Sequence, residues 1–535
     1  MLKIALAFLA TLVASRIYKF WSGLKAVSFV PGPRCALSPR SKLGLYFPTK
    51  LNRFFFNAGV NFLWEAKRAG GFARDHDVLS VVPWLYGPPI LYVSSIEMMR
   101  QVLGYSDDFD KVTNSPASEL FGENVAVVQK ERWKKHRRVL NPAFSPKLYT
   151  LVWKESIRTF RDMISTEGWV EKGSVAIPAI IGITSKARPS YCSIFFTFNI
   201  ISSCAFDFRF PWAKSTTSSG AEMSIPECFK VVITYIPIRL LAPTWAYYLP
   251  SKVLKRVDAA YDTIFSFMRS RIATRREKLV HEELNEDNGL GANTIFNNII
   301  RANLDGGKFA FDENEVIGNT FAMLFVGHET TSRTLAAVLA LLGVYQDEQE
   351  KVYQEIERVL SDGREPAFED FESFPAIRNC IHESMRLYPP ATVVIREAMK
   401  DVRLDVTDKL TGEKSHEIVV KKGALVLANI LEIQYNPRHF PDPEAFKPSR
   451  WTDSTVDSDT FVGFGLGPRG CIGRKFSLVE ATCFLVMLLR DWKVDIDLLG
   501  GESPVQWRQR VMTEKAHATL GLGPIPLRFS RRNSK

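Results

Sequence analysis

The sequence predicts a mainly α-helical protein with a smaller β-rich part, and three stretches carry that expectation. Phe311 to Gln346 is a long apolar segment with helical patterning, well above average helix length. Arg474 to Leu489 repeats the helical pattern directly after a glycine-dense loop. Val78 to Val93 is rich in Val, Leu, Tyr and Trp and is broken by Gly87-Pro88-Pro89, the composition of two strands joined by a turn. A hydrophobic fraction of 46% over 535 residues suits a large core.

Composition narrows the function classes. The seven cysteines (35, 192, 204, 228, 380, 471 and 483) are sparse, odd in number and irregularly spaced, with no CxxC pair. That argues against a disulfide framework or a zinc site and for a reducing compartment. No Asn-x-Ser/Thr sequon occurs, which agrees with a cytosol-facing body. The net charge of +11 points to an anionic membrane surface or an acidic protein partner. No zinc finger, helix-turn-helix or arginine-rich arm is visible, so nucleic acid is not expected as a partner.

At the N-terminus, Ile4 to Ser15 is free of charges and bracketed by Lys3 and Arg16. Twelve residues reach only about 18 Å as a helix, short of a bilayer core of about 30 Å. Extension to Trp21, with Arg16 and Lys19 snorkelling and Tyr18 and Trp21 at the interface, gives an anchor over residues 1–21. The basic flank on its C-terminal side keeps the rest of the chain in the cytosol. A cleaved signal peptide is the rival reading, and the cysteine usage speaks against it. Val30-Pro31-Gly32-Pro33-Arg34 marks a stiff linker over residues 22–40, ahead of a body over residues 41–535.

Four constellations carry chemistry. Phe461 to Gly473 places Cys471 in a glycine-dense loop at the mouth of a helix, where backbone N–H groups and the dipole favour thiolate. The glycines allow the backbone to approach a flat ligand, and Arg469 supplies a cation for an anionic group on it. A thiolate on such a platform suits haem iron. Trp133 and Arg137 stand at i and i+4, two donors on one helix face that suit a carboxylate. Phe325-Val326-Gly327-His328-Glu329-Thr330-Thr331 buries an acid and hydroxyls in an apolar helix, where they need partners or work to do. There Gly327 permits close approach of a ligand, and a threonine hydroxyl can open the backbone ladder. Glu383 and Arg386 set opposite charges at i and i+3.

The Phe464, Gly467, Arg469, Cys471 and Gly473 pattern resembles the haem-binding signature of the cytochrome P450 superfamily. The other three constellations resemble that family's motifs and come in its order, over a span from the Pro-Gly-Pro segment to about residue 530. The resemblance implies the cytochrome P450 fold, a large helical domain with a small β-rich subdomain, holding haem b with Cys471 as axial ligand. It gives Trp133, Arg137 and Arg396 to the haem propionates, Thr330 to oxygen activation and Glu329 to proton relay. It reads Glu383, Arg386 and Arg450 as a structural lock. Val326 stands where the family usually has Ala or Gly, which bears on the size of the substrate pocket.

The implied activity is monooxygenation of a lipophilic substrate with O₂, as in microsomal fungal secondary metabolism and its terpenoids. Electrons come from NADPH through a cytochrome P450 reductase at the endoplasmic reticulum membrane. Lys134, Lys135, Arg137, Arg138, Arg469, Arg474 and Lys475 are candidates for the face that docks the reductase. The alternatives are a P450-fold isomerase, dehydratase or peroxide-driven enzyme, against which Glu329-Thr330 argues, and a non-catalytic haem-binding protein. Residues 114–128, 225–250, 389–395 and 510–520 are expected around the substrate. Relative to the family pattern, about ten residues near 179–197 are extra, with Arg188-Pro189 unable to sit inside a helix. They are either a loop insertion or translated intron sequence.

Overall fold

The computed structural model describes residues 1–46, 55–59, 64, 76–104, 107–113, 115–177, 192–210, 212, 223–284, 294–304, 306–452, 460–516 and 520–532. The extra segment near 179–197 lies outside them up to residue 191, as do residues 213–220 and 517–519.

The helices that position the site are α1 (Leu2–Ala26), α2 (Lys130–Leu140), α3 (Pro146–Thr166), α4 (Cys192–Phe206), α5 (Ile225–Thr234), α6 (Lys252–Leu284), α7 (Glu313–Val344), α8 (Pro375–Leu387) and α9 (Arg474–Asp491). Helix α7 is the axis of the body, buried along most of its length and packed against α4, α8 and other helices. Its start is fixed by a capping box in which the Glu315 amide donates to Asp312 at 2.8 Å and the Asp312 amide donates to Glu315 at 3.1 Å. Helices α3, α4 and α9 pack on one another beside it and share its apolar core. Helix α8 stops at Leu387, one residue short of Pro389-Pro390, where proline cannot continue the hydrogen-bond ladder.

The β-rich part is a six-stranded sheet with strands β1 (Arg34–Leu37), β2 (Val78–Tyr86), β3 (Ile90–Val93), β4 (Phe109–Asp110), β5 (Val393–Ala398) and β6 (Leu425–Asn429), in the order β1-β2-β3-β6-β5-β4. The expected turn is there: β2 and β3 pair antiparallel across Gly87-Pro88-Pro89, with Val78 opposite Val93. The β5–β4 pairing sets Asp110 opposite Glu397 and so delivers Asp110 and Lys111 beside Arg396.

The N-terminal segments divide differently from the expected anchor and linker. Helix α1 runs on to Ala26, so it spans about 37 Å at the usual rise, long and apolar enough to cross a membrane. Its first half is exposed, while its C-terminal end rests on the sheet, with Gly23 buried against Val82 and Arg16 donating to the Leu85 carbonyl at 2.6 Å. Beyond Pro31-Gly32-Pro33, the chain enters β1, parallel to β2. The linker is thus partly built into the sheet.

Candidate active site

The cysteine loop is shaped by its glycines and held by its own backbone. Gly465 and Gly467 take φ of 74° and 70°, and a Cβ on Gly467 would stand 2.2 Å from the Leu103 carbonyl oxygen. The Cys471 amide donates to the Phe464 carbonyl at 2.9 Å, and Gly470 to Gly467 at 3.0 Å, closing a turn that ends at the Gly473 cap of α9. Among the described free cysteines, Cys471 alone is exposed. The expectation of a thiolate at the helix mouth is met only in part. Burial pushes the thiol up, and the Gly473 amide, Arg137 and Arg474 oppose it without reversing it. A bound cation is what would displace that proton.

Beside the loop lies a surplus of buried positive charge. Arg469 pairs with Asp110 at 2.6 Å, donates to the Val128 carbonyl at 2.9 Å and lies 4.6 Å over the Trp133 ring. Arg137 donates to the Gly470 carbonyl at 3.1 Å, one residue from the cysteine. Arg396 is 3% exposed, and its one hydrogen bond among the described residues goes to the adjoining Ile395 carbonyl at 3.0 Å. Burial, and then Arg469, push Arg396 down to about 10. Burial, and then Arg396 and Arg469, push Lys111 down to about 7. Among the described residues Asp110 is the one carboxylate set against these three cations, and it also accepts the Lys111 and Lys130 amides at 2.7 and 2.9 Å. Such a cluster fits a ligand that brings negative charge, and the carboxylates of a haem answer that description beside a thiol that can ligate its iron. Trp133, Arg137, Arg396 and Arg469 are placed together beside this loop. Asp110 and Lys111 carry no sequence signal and were missed.

Helix α7 presents two stripes. Val326 is 49% exposed in a mostly buried helix, and the Thr330 hydroxyl donates to its carbonyl at 3.1 Å, so the 326–330 stripe faces open space. The 329–333 stripe, about 60° away, is buried. Glu329 there accepts from Arg333 at 2.8 and 3.2 Å, with both side chains 3% exposed. The adjacent acid and alcohol therefore face different surroundings, and Arg333 is a partner that sequence reasoning missed. Gly327 also needs correcting. A Cβ there would meet Ile201 of α4 at 2.8 Å, so this glycine serves the close packing of two helices rather than the approach of a ligand. The helix runs through the motif unbroken, with the hydroxyls back-bonded to preceding carbonyls.

Above this stripe, Phe121, Phe229, Phe321 and Phe325 form an aromatic wall, with Phe121–Phe325 at 4.8 Å and Phe229–Phe321 at 5.8 Å between ring centres. Phe121 and Phe229 come from two of the stretches expected around a substrate.

Glu383, Arg386 and Arg450 come together in one buried cluster. Glu383 binds Arg386 at 2.8 Å and Arg450 at 3.0 Å, and accepts the Trp451 indole and the Lys447 amide at 3.0 Å each. Arg386 in turn donates to the carbonyls of Gln434, Pro443 and Ala445. The expected basic face is thinner than its sequence. Lys135 and Arg469 are drawn into internal pairs with Glu315 and Asp110, and Lys134 and Lys475 have acidic partners in Glu131 and Glu372.

Comparison with known proteins agrees with this geometry. A family model described as cytochrome P450 matches residues 80–520. Cytochrome P450 monooxygenase 124 of Postia placenta is 29% identical over 488 residues, covering 89% of this chain and 90% of its own. Cyclooctat-9-en-7-ol 5-monooxygenase of Streptomyces melanosporofaciens is 28% identical over 422 residues, covering 76% of this chain and 81% of its own. The crystal structure of the cytochrome P450DA heme domain superposes with a TM-score of 0.69 at 18% identity, over 94% of this chain and 99% of that one, a likeness of fold.

Proposed function

This chain belongs to the cytochrome P450 family, and from that premise we propose that it is a membrane-anchored haem-thiolate monooxygenase acting on a lipophilic substrate of terpenoid type. The overall change is RH + O₂ + NADPH + H⁺ → ROH + H₂O + NADP⁺, with electrons passed from NADPH by a cytochrome P450 reductase. The observation that carries the reading is the pairing of one open cysteine, Cys471, with a buried cation surplus of Arg396, Arg469 and Lys111 around a single carboxylate. Haem b bound there would supply the oxygen activation.

The chain's own residues do the rest. Cys471 offers the iron a sulfur, while Arg137, Arg396, Arg469 and the Trp133 ring hold the acid side of the ligand. Thr330 sets a hydroxyl on the open space beside α7, and the aromatic wall of Phe121, Phe229, Phe321 and Phe325 desolvates an apolar substrate. Val326 narrows that space. The terpenoid class draws support from the Streptomyces relative, whose name specifies an unsaturated alcohol as substrate. Helix α1 supports anchoring at the endoplasmic reticulum with a cytosolic body.

The test is a reduced-plus-CO difference spectrum of the full-length protein, with Cys471→Ser beside it. A strongly red-shifted Soret band, lost in the variant, is expected. A folded, haem-loaded protein without that band would rule out the thiolate assignment and the monooxygenase with it.

A further inference from the structure

Helix α2 carries Trp133 and Arg137 on one face and a second set of groups, Arg132, Lys135 and His136, on another face about 130° round the helix. All three of the second set converge on one carboxylate of α7. Glu315 meets Arg132 at 2.9 Å, Lys135 at 2.6 Å and His136 at 3.0 Å, and its side chain is 1% exposed. Asn319, one turn further along α7, is 3.0 Å from His136 and accepts the Val125 amide at 3.0 Å, which ties down the loop ahead of α2. Arg132 also reaches Glu123, and the Asp312 amide donates to Glu315. Phe311 closes the cluster, with its ring 4.6 Å from that of His136 and 5.4 Å from the Lys135 ammonium. These contacts are far denser than helix packing needs. Three attachments at i, i+3 and i+4 fix the rotation of α2 about its axis, and that rotation aims the opposite set of donors.

We propose that Glu315 is a positioning residue for the cofactor. It holds α2 in the one rotation that sends Arg137 to the Gly470 carbonyl and Trp133 beneath Arg469, so that both are preset for the acid side of the haem. Glu315 itself touches neither ligand nor cysteine. The inference rests on the haem reading above, which the wild-type spectrum decides by itself.

The experiment measures transfer of haem from the loaded full-length protein to apomyoglobin. The variants are Glu315→Gln, Lys135→Met, Arg137→Ala and the double variant Glu315→Gln/Arg137→Ala. Glutamine keeps the capping-box acceptor while removing the charge. Lys135→Met removes one attachment and leaves Arg132 as counter-charge and His136 as hydrogen-bond partner of Glu315, which covers the case in which Glu315→Gln does not fold. Loss of a supporting residue of this kind speeds release about 10- to 100-fold. The expected pattern is faster release in Glu315→Gln and in Lys135→Met, the latter smaller, with Glu315→Gln adding little once Arg137 is already alanine. Because Arg137 reaches the loop one residue from Cys471, the Soret maximum of the CO complex shifts in Glu315→Gln in the same direction as in Arg137→Ala. A wild type that holds haem, with Glu315→Gln and Lys135→Met releasing it no faster, overturns the proposal and leaves the haem reading intact. So does a double variant whose release is the product of the two single effects, since independent effects mean that Glu315 does not act through Arg137.

Discussion

Two charge clusters lie near the cysteine loop, each built from one carboxylate and two or three cations, and they are left in opposite states. The Glu383–Arg386–Arg450 cluster is closed. Both Glu383 oxygens accept donors, and Arg386 directs its remaining N–H groups to three backbone carbonyls. The Lys111–Arg396–Arg469 cluster is open, with three cations facing one carboxylate and Arg396 bonded only to its neighbour's carbonyl among the described residues. Burying charge is costly unless it is paired. A closed cluster is therefore complete as a piece of structure, whereas an open one is complete only with a ligand of the missing sign. The difference separates a lock from a binding site without reference to any motif.

The largest expected effect comes from breaking the closed cluster. Glu383→Gln leaves two guanidinium groups buried without their counter-charge, which is expected to lower stability by about 3–5 kcal/mol. Denaturant unfolding of the full-length protein, monitored with haem bound and with haem removed, reads it. The loss appears in both forms, because the lock does not depend on the ligand. A loss confined to the haem-bound form would place Glu383 in the binding site instead.

The open cluster responds in the other sense. Arg396→Met removes a buried cation that the protein alone leaves poorly paired, so the haem-free protein keeps or gains stability. The haem-bound protein loses a charge-assisted contact of about 1.5–3 kcal/mol and releases haem roughly 10- to 100-fold faster. Transfer to apomyoglobin beside thermal unfolding of both forms checks the pair of outcomes. Equal destabilisation of the two forms would make Arg396 a structural residue like Arg386.

How far these clusters could be read from the sequence depends on how they are assembled. Glu383 and Arg386 sit on one helix at i and i+3, and Trp133 and Arg137 at i and i+4, so helix periodicity alone joins them. The cysteine loop is contiguous, and its glycines announce the turn. Lys111 and Asp110 are brought to Arg396 by the pairing of β4 with β5, a contact between distant parts of the chain that leaves no local pattern. Gly327 shows a different limit. A glycine in a helix permits the approach of a ligand or of another helix, and only Ile201 at 2.8 Å from its would-be Cβ tells which. The Pro-Gly-Pro segment was legible as a stiff break, yet the strand Arg34–Leu37 behind it depends on pairing with β2.

The pH dependence of stability is the sharpest test of the open cluster. Lys111 is held down at about 7 in the haem-free protein, against an unfolded value of about 10.4. Between those values the unfolded chain binds more protons than the folded one, so this group makes stability rise with pH from about 7 to about 10.4. Below 7 the lysine is charged in both states and its burial penalty is present in full. An anionic ligand raises the folded value toward the unfolded one and flattens that rise. Lys111→Met is therefore expected to flatten the pH dependence of unfolding in the haem-free protein and to change it little in the haem-bound one. Comparing variant with wild type at each pH cancels the other titrating groups. If the variant leaves the haem-free profile unchanged, Lys111 does not belong to the cation surplus, and the cluster reduces to two arginines against one aspartate.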